Sequence, residues 1–222
     1  TRIMVDAFNV SNDGAKMFVP DGAQDLYQSN LSLNSSNIFR HANVSDNRRY
    51  FVYEVGEDLG ISYIINNNLS TTTLGVPNQL TYLSASKNVV ELGTNSYRHI
   101  NISDPEGVAA SLPSTVIKIG SYAFYQLNIT NIDLTNVQFI GKYAFYETNL
   151  ERVIAPSLTE IEPYAFYSSK ATIVSLSNIN KIGDYAFAKS ENLYELNLSA
   201  IKYIGKYAFY DCKQMSRVYF NN

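Results

Sequence analysis

The chain has 222 residues, 45% hydrophobic and 17% charged, which is enough apolar material to bury a substantial core. Its 17 basic and 20 acidic residues leave a net charge of −3 with no block of either sign, so the electrostatic footprint of a nucleic-acid or anionic-membrane binder is missing. No run approaches the roughly 18 apolar residues of a membrane span, and the lone Cys212 excludes both a disulfide framework and a cysteine-based zinc site.

The opening "TRIMVDAF" has neither a start methionine nor an apolar signal core and reads as part of a longer protein. In the first third, "YFVYEV" at 50–55 and "ISYII" at 61–65 read as strands, and "NNNLSTTT" at 66–73 as a polar loop. Asn-x-Ser/Thr sequons stand at Asn9, Asn30, Asn34, Asn43, Asn68, Asn101, Asn128 and Asn197; they become glycans only in a eukaryotic secretory pathway. Two segments are expected: 1–75, an irregular N-terminal segment of degenerate or variant repeats, and 76–222, a repeating solenoid with regular coils from about 112.

The regularity comes from the hexapeptide "IGSYAF" at Ile119, which returns as "IGKYAF", "IEPYAF", "IGDYAF" and "IGKYAF". Its phenylalanines, Phe124, Phe145, Phe166, Phe187 and Phe209, are spaced 21, 21, 21 and 22 residues apart. Between them apolar residues recur in steps of three, two, three and three: Ile129, Ile132, Leu134, Val137 and Ile140 in one coil, then Leu150, Val153, Ala155, Leu158 and Ile161 in the next. A step of two is strand geometry, so "NIDLT", "RVIAP", "IVSLS", "ELNLS" and "RVYFN" predict one short parallel strand per coil. "YAF" is too short for a proper helix and predicts an α or 3₁₀ turn opposite the strand. One coil cannot bury its own apolar edge, so coils must stack, giving an α/β right-handed solenoid.

Within the hexapeptide, Ile and Phe are core knobs, and Gly is expected to supply a φ that other residues resist. In the third copy "EP" stands instead, so that corner does not strictly require Gly. Tyr122, Tyr143, Tyr164, Tyr185 and Tyr207 are expected to form a ladder along the outer edge, either as structural stacking or as a binding surface. A second row, Tyr125, Tyr146, Tyr167 and Tyr210, is broken by Ala188.

Chemistry is sparse. No phosphate loop, dinucleotide fingerprint, zinc-protease helix or nucleophile elbow is present, and His41 and His99 have no second ligand type at metal spacing. No catalytic residue, metal or cofactor is therefore expected. What remains is the outward face of the strands, where stacking lines residues into columns: Asn131, Asp133 and Thr135; Arg152, Ile154 and Pro156; Ile173, Ser175 and Ser177; Glu195, Asn197 and Ser199; Arg217, Tyr219 and Asn221. The candidate ligand-binding set is Asn131, Asp133, Arg152, Ile154, Ser175, Glu195, Asn197, Arg217 and Tyr219, against the alternative of an ordinary solvated face. A glycan on Asn197 would obstruct that face.

The pattern I-G-x-Y-A-F, L-x-x-V-x-L, V-x-x-I-G resembles the BspA-like leucine-rich repeats, also called the Treponema pallidum type. The resemblance is specific from Leu112 to Phe220, through "LPSTVIKIGSYAF" and "CKQMSRVYF", where Cys212 fits the family's occasional cysteine. "QLTYLSASKNVVELGTNSY" at 79–97 keeps the apolar ladder with one insertion and Tyr97 in place of Phe. "KMFVPDGAQDLYQS" at 16–29 resembles the family's variant repeat, and "DAF" at 6–8 a relic hexapeptide. The resemblance implies a leucine-rich-repeat solenoid, an extracellular or cell-surface location, and non-catalytic adhesion to proteins such as host extracellular matrix or cell-surface receptors, with no nucleic acid and no membrane insertion. The rival readings are a structural spacer of a larger surface protein and a carbohydrate-binding accessory module, the latter only if tyrosine ring faces are free.

Overall fold

The computed structural model describes residues 17–19, 38–43, 49–65, 73–82, 85–98 and 106–221. Side chains are described from Val52 onward, with interruptions. The relic at 6–8, the turn after Val19, the loop at 66–72, His99 and the sequons at Asn9, Asn30, Asn34, Asn68 and Asn101 lie outside the described residues.

The first strands are β1 (Met17–Val19), β2 (Ile38–Asn43), β3 (Arg49–Val55) and β4 (Asp58–Ile65). The two strands expected at 50–55 and 61–65 are thus present, and they form an antiparallel hairpin in which Val55 faces Asp58 across Gly56 and Glu57. Gly56 has φ 61, the left-handed conformation that tight hairpins place on glycine. β5 (Thr73–Gly75), β6 (Gln79–Tyr82), β7 (Ala85–Leu92) and β8 (Val108–Ser111) lead into the repeats. There follow β9 (Lys118–Ile119), β10 (Ile129–Ile132), β11 (Phe139–Ile140), β12 (Arg152–Ile154), β13 (Glu160–Ile161) and β14 (Ile173–Leu176). The last four are β15 (Lys181–Ile182), β16 (Glu195–Ser199), β17 (Tyr203–Ile204) and β18 (Arg217–Asn221).

These build a parallel-strand solenoid of about five turns with three sheets. The longest runs β1-β2-β3-β4-β7-β9-β11-β13-β15-β17; the second is β10-β8-β5, and the third β12-β14-β16-β18. The predicted single strand per coil is corrected to two. The residue pair before each corner, such as Phe139–Ile140, bridges in parallel to the coils on both sides. A step of three ending on a buried Ile conceals this second strand, because two residues show no alternation.

The core follows the apolar ladder closely. Ile129 through Leu198 of the ladder are buried, whereas Ile201 is half-buried and Ile204 exposed, since nothing among the described residues stacks on the last coil. Down the centre runs a column of rings: Tyr97–Phe124 at 5.0 Å, Phe124–Phe145 at 5.1 Å, Phe145–Phe166 at 5.0 Å, Phe166–Phe187 at 4.9 Å and Phe187–Phe209 at 5.5 Å between centroids. Strand pitch sets that spacing, and it suits offset aromatic stacking.

The corner turn is not a helix, nor is there any helix among the described residues. Alternate amides turn sideways: the N–H groups of Tyr122, Phe124 and Gln126 donate to the carbonyls of Lys142, Ala144 and Tyr146 at 2.8–2.9 Å, while those of Ala123, Tyr125 and Leu127 close turns inside their own coil. A helix would direct every amide along the coil and leave this third inter-coil ladder unmade. To alternate in this way the backbone must switch handedness, and Tyr122, Tyr143, Tyr164, Tyr185 and Tyr207 have φ between 55 and 61.

The role expected for the corner glycines is corrected by the same geometry. Gly120, Gly141, Gly183 and Gly205 are absent from the positive-φ residues. They are small because coils touch there: a Cβ on Gly183 would lie 2.5 Å from the Pro163 nitrogen and 2.6 Å from the Glu162 carbonyl carbon. Glu162 takes the equivalent position in its own coil, where its carboxylate accepts the Lys142 N–H at 2.9 Å.

Candidate interaction surfaces

The third sheet aligns its outward residues in two registers. One column reads Arg152, Ile173, Glu195 and Arg217; the next reads Ile154, Ser175, Asn197 and Tyr219. Seven of the nine candidate residues are thereby brought onto one face. Asn131 and Asp133 are not: Asn131 lies on β10, Asp133 just beyond it, and β10 belongs to the second sheet. The two sheets meet through a Glu151 N–H to Thr130 carbonyl bond of 3.3 Å. Asp133 is turned on its own loop, accepting the Thr135 N–H at 2.9 Å, and bonds from the Thr135 side chain and backbone hold its carboxyl below the usual range.

One end of the face is a linked polar–aromatic cluster. Arg217 lies 3.9 Å from the Glu195 carboxylate and 5.1 Å from the Tyr194 ring centroid, and Asn197 donates to Glu195 Oε1 at 2.9 Å. Glu195 thus holds both neighbours in place, and the sequon amide of Asn197 is already engaged. Tyr194 was absent from the sequence candidates because it precedes the strand, where counting alternate positions stops. Its column mates are Thr172 and Ser216, so only its departure in size marked it. Ile154, Tyr194 and Tyr219 are all exposed.

The outer edge carries the two tyrosine rows. Successive rings of the first, from Tyr122 to Tyr207, stack at 4.9, 4.9, 5.0 and 5.1 Å. In the second, Tyr125, Tyr146 and Tyr167 stack at 5.1 and 5.0 Å. Where Ala188 breaks the row, Lys189 Nζ lies 5.8 Å from the Tyr167 ring. At the other end the Arg98 guanidinium covers both Tyr122 and Tyr125, at 4.8 and 5.0 Å. From Tyr122 to Tyr185 in the first row and from Tyr125 to Tyr167 in the second, ring faces are occupied by other rings or by cations, whereas Tyr207 and Tyr210 at the far end stay 59% and 55% exposed. Burial, aided by the Glu147 carboxylate, pushes the Tyr146 phenol up to about 12, and burial also raises Tyr143 and Tyr185.

A third column is internal. Thr148, Ser169 and Ser190 are buried at the position taken by Cys212 in the last coil; the Thr148 hydroxyl donates to the Phe145 carbonyl, that of Ser190 to the Phe166 carbonyl, and the Ser169 and Ser190 hydroxyls bond to one another. The Cys212 thiol donates to the Phe187 carbonyl at 3.2 Å. Among the described residues no three His, Cys, Asp or Glu side chains cluster as metal ligands.

A model of the BspA type leucine rich repeat region matches residues 90–216 in 6 copies. Among solved structures, a leucine rich cell surface protein from Faecalibacterium prausnitzii is similar, with a TM-score of 0.61 and 18% identity over 81% of this chain and 54% of its own. A leucine-rich repeat protein from Bacteroides ovatus gives 0.54 and 18% over 79% of this chain and 52% of its own. One from Bacteroides capillosus gives 0.50 and 20% over 62% and 98%. At these identities the likeness shows the fold alone, and this chain spans about half the length of the first two. No curated protein matches it.

Proposed function

The chain belongs to the BspA type leucine-rich repeat family, and on that premise we propose that it is a non-catalytic recognition module of a surface protein, binding a protein partner through its third sheet. The carrying observation is the Tyr194–Glu195–Asn197–Arg217 cluster with Tyr219 beside it, a patch in which arginine and tyrosine are exposed yet already held in position. Arg and Tyr supply most of the energy at protein interfaces, and groups fixed beforehand lose little entropy on binding. Arg152 and Ile154 extend the patch across the sheet to its other edge, at β12. In this reading residues 76–222 carry recognition, 1–75 are an irregular N-terminal extension, and the ligands are host matrix or cell-surface proteins met outside the cell. The cell-surface description of the Faecalibacterium relative supports that location.

The test is binding of the purified chain to a panel of matrix and cell-surface proteins, repeated with Tyr194→Ala, Arg217→Ala and Tyr219→Ala. The expected result is binding that falls by at least about tenfold for the strongest variant, the loss typical of an interface hot spot. Silence across the panel, or binding that ignores all three substitutions, would sink the proposal and leave the spacer reading.

A further inference from the structure

The first sheet has no part in that recognition surface, yet it carries one outward residue per coil just ahead of each buried one. Register lines these up as Glu91, Lys118, Phe139, Glu160 and Lys181. Within the chain the charges are already matched: Lys118 Nζ lies 2.8 Å from the Glu91 carboxylate, and Lys181 Nζ 2.6 Å from that of Glu160. Between the two pairs stands Phe139, half-buried, with the Lys118 ammonium 5.9 Å from its ring centroid. Ile117, one residue before Lys118, is 43% exposed. An apolar centre between charged ends is the layout of a protein interface. Coil stacking uses the ion pairs but leaves the aromatic between them unexplained.

The column also inverts its charge about its middle. Outward from Phe139, one direction gives lysine then glutamate, and the other glutamate then lysine. A twofold axis along the strand direction through Phe139 reverses coil order and keeps each column opposite itself. It sets Phe139 against Phe139, Lys118 against Glu160 and Glu91 against Lys181 of a second copy, and symmetry repeats both ion pairs. No like charges meet in the column. The neighbouring positions permit the approach: Gln138 meets Gln138, and Ile117 meets the uncharged Thr159. Two residues past the column the chain runs through Gly93, Gly120, Gly141 and Gly183, so the one carboxylate there, Glu162, falls opposite Gly120. We propose that the first sheet is a self-association surface, at which two copies of this chain pair face to face with coil order reversed about Phe139. Four coil steps of about 4.8 Å make the column about 19 Å long. That is short for a permanent interface, so the pair is weak and forms where the chain is concentrated. The third sheet takes no part in it.

Charge reversal supplies a test that a merely structural ladder would not pass. Analytical ultracentrifugation of the chain at about 1 mM in low salt should show a reversible dimer, and raising the salt to about 300 mM should weaken association at least about tenfold. Lys118→Glu places glutamates opposite each other twice across the axis, and Glu160→Lys does the same with lysines. Each variant alone should therefore stay monomeric, with unchanged circular dichroism. Mixed in equal amounts, the two variants restore every opposite-charge pair, and the mixture should dimerise like the unaltered chain. Phe139→Ser changes no charge, should also lose the dimer, and serves if a reversal variant misfolds. Arg217→Ala, on the third sheet, should dimerise normally, so failure here is distinct from failure of the recognition surface. The inference is overturned by an unaltered chain that remains monomeric at about 1 mM, by a dimer indifferent to salt, by reversal variants that pair as well as the unaltered chain, by a mixture no more associated than its components, or by loss of the dimer in Arg217→Ala.

Discussion

Replacing Tyr164 by glycine should harm the protein less than replacing it by alanine, the reverse of the order found in helices and strands. Tyr164 has φ 61, and an L-residue held in that conformation costs about 1–2 kcal/mol. The stacks on Tyr143 at 4.9 Å and Tyr185 at 5.0 Å offset this, since aromatic pairs contribute roughly 0.5–1.5 kcal/mol each, or about 1–3 kcal/mol together. The main-chain bond from its N–H to the Asp184 carbonyl, 3.0 Å, survives either substitution. Alanine loses both stacks and keeps the strain, so Tyr164→Ala should cost about 1–3 kcal/mol. Glycine loses the stacks and the strain together. After its larger entropy in the unfolded chain is allowed for, Tyr164→Gly should be the more stable of the two by about 0.5–1 kcal/mol. Urea unfolding of the three proteins, followed by far-ultraviolet circular dichroism, measures both differences. If the alanine form equals or exceeds the glycine form, the left-handed corner is wrong; if alanine matches tyrosine, the stacks carry no weight.

The corner glycines should respond in the opposite sense. Gly183→Ala forces a methyl to within 2.5 Å of the Pro163 nitrogen and should destabilise by about 1–3 kcal/mol in the same unfolding assay; a neutral or stabilising result would remove close coil contact as the reason for glycine. Burial pushes the Cys212 thiol up to about 11 from an ordinary 9.0, so its thiolate fraction at pH 8 is about 100-fold below that of an open thiol. Iodoacetamide should label it correspondingly slowly until urea is added, and equal rates in both states would refute the burial. Because the folded state favours the neutral thiol, this stabilisation is complete below pH 9 and is lost as pH rises towards 11.

What the sequence made legible was whatever depends on side chains repeating at a fixed place. Phe124, Phe145, Phe166 and Phe187 declare a buried column, and the step of two at Val174 and Leu176 declares a strand, because apolar identity and period both survive in the letters. What depends on backbone direction was hidden. The turn at Tyr122–Leu127 has the composition of a short helical turn, yet its alternate amides serve the next coil, and the constraint that makes them do so comes from coil-to-coil pairing that no single repeat contains. The glycine was misread for the same reason: its letter is compatible with a positive φ or with close approach, and the neighbouring coil decides between them.

The surface divides along the same line. Arg217 and Tyr219 could be named from strand alternation alone, but Tyr194 enters their cluster through a ring contact set by the stagger of one coil on the next. Asn131 and Asp133 drop out of the column for a converse reason. β10, whose ladder to β8 shifts register between Ile129 and Asn131, has no ladder to β12 among the described residues, so the outward face falls into two sheets. A recognition surface on a repeat protein is therefore bounded by where its coils stay in register. On this chain that places the coherent part between Arg152 and Asn221, with its aromatic end at the coil whose outer side nothing among the described residues covers.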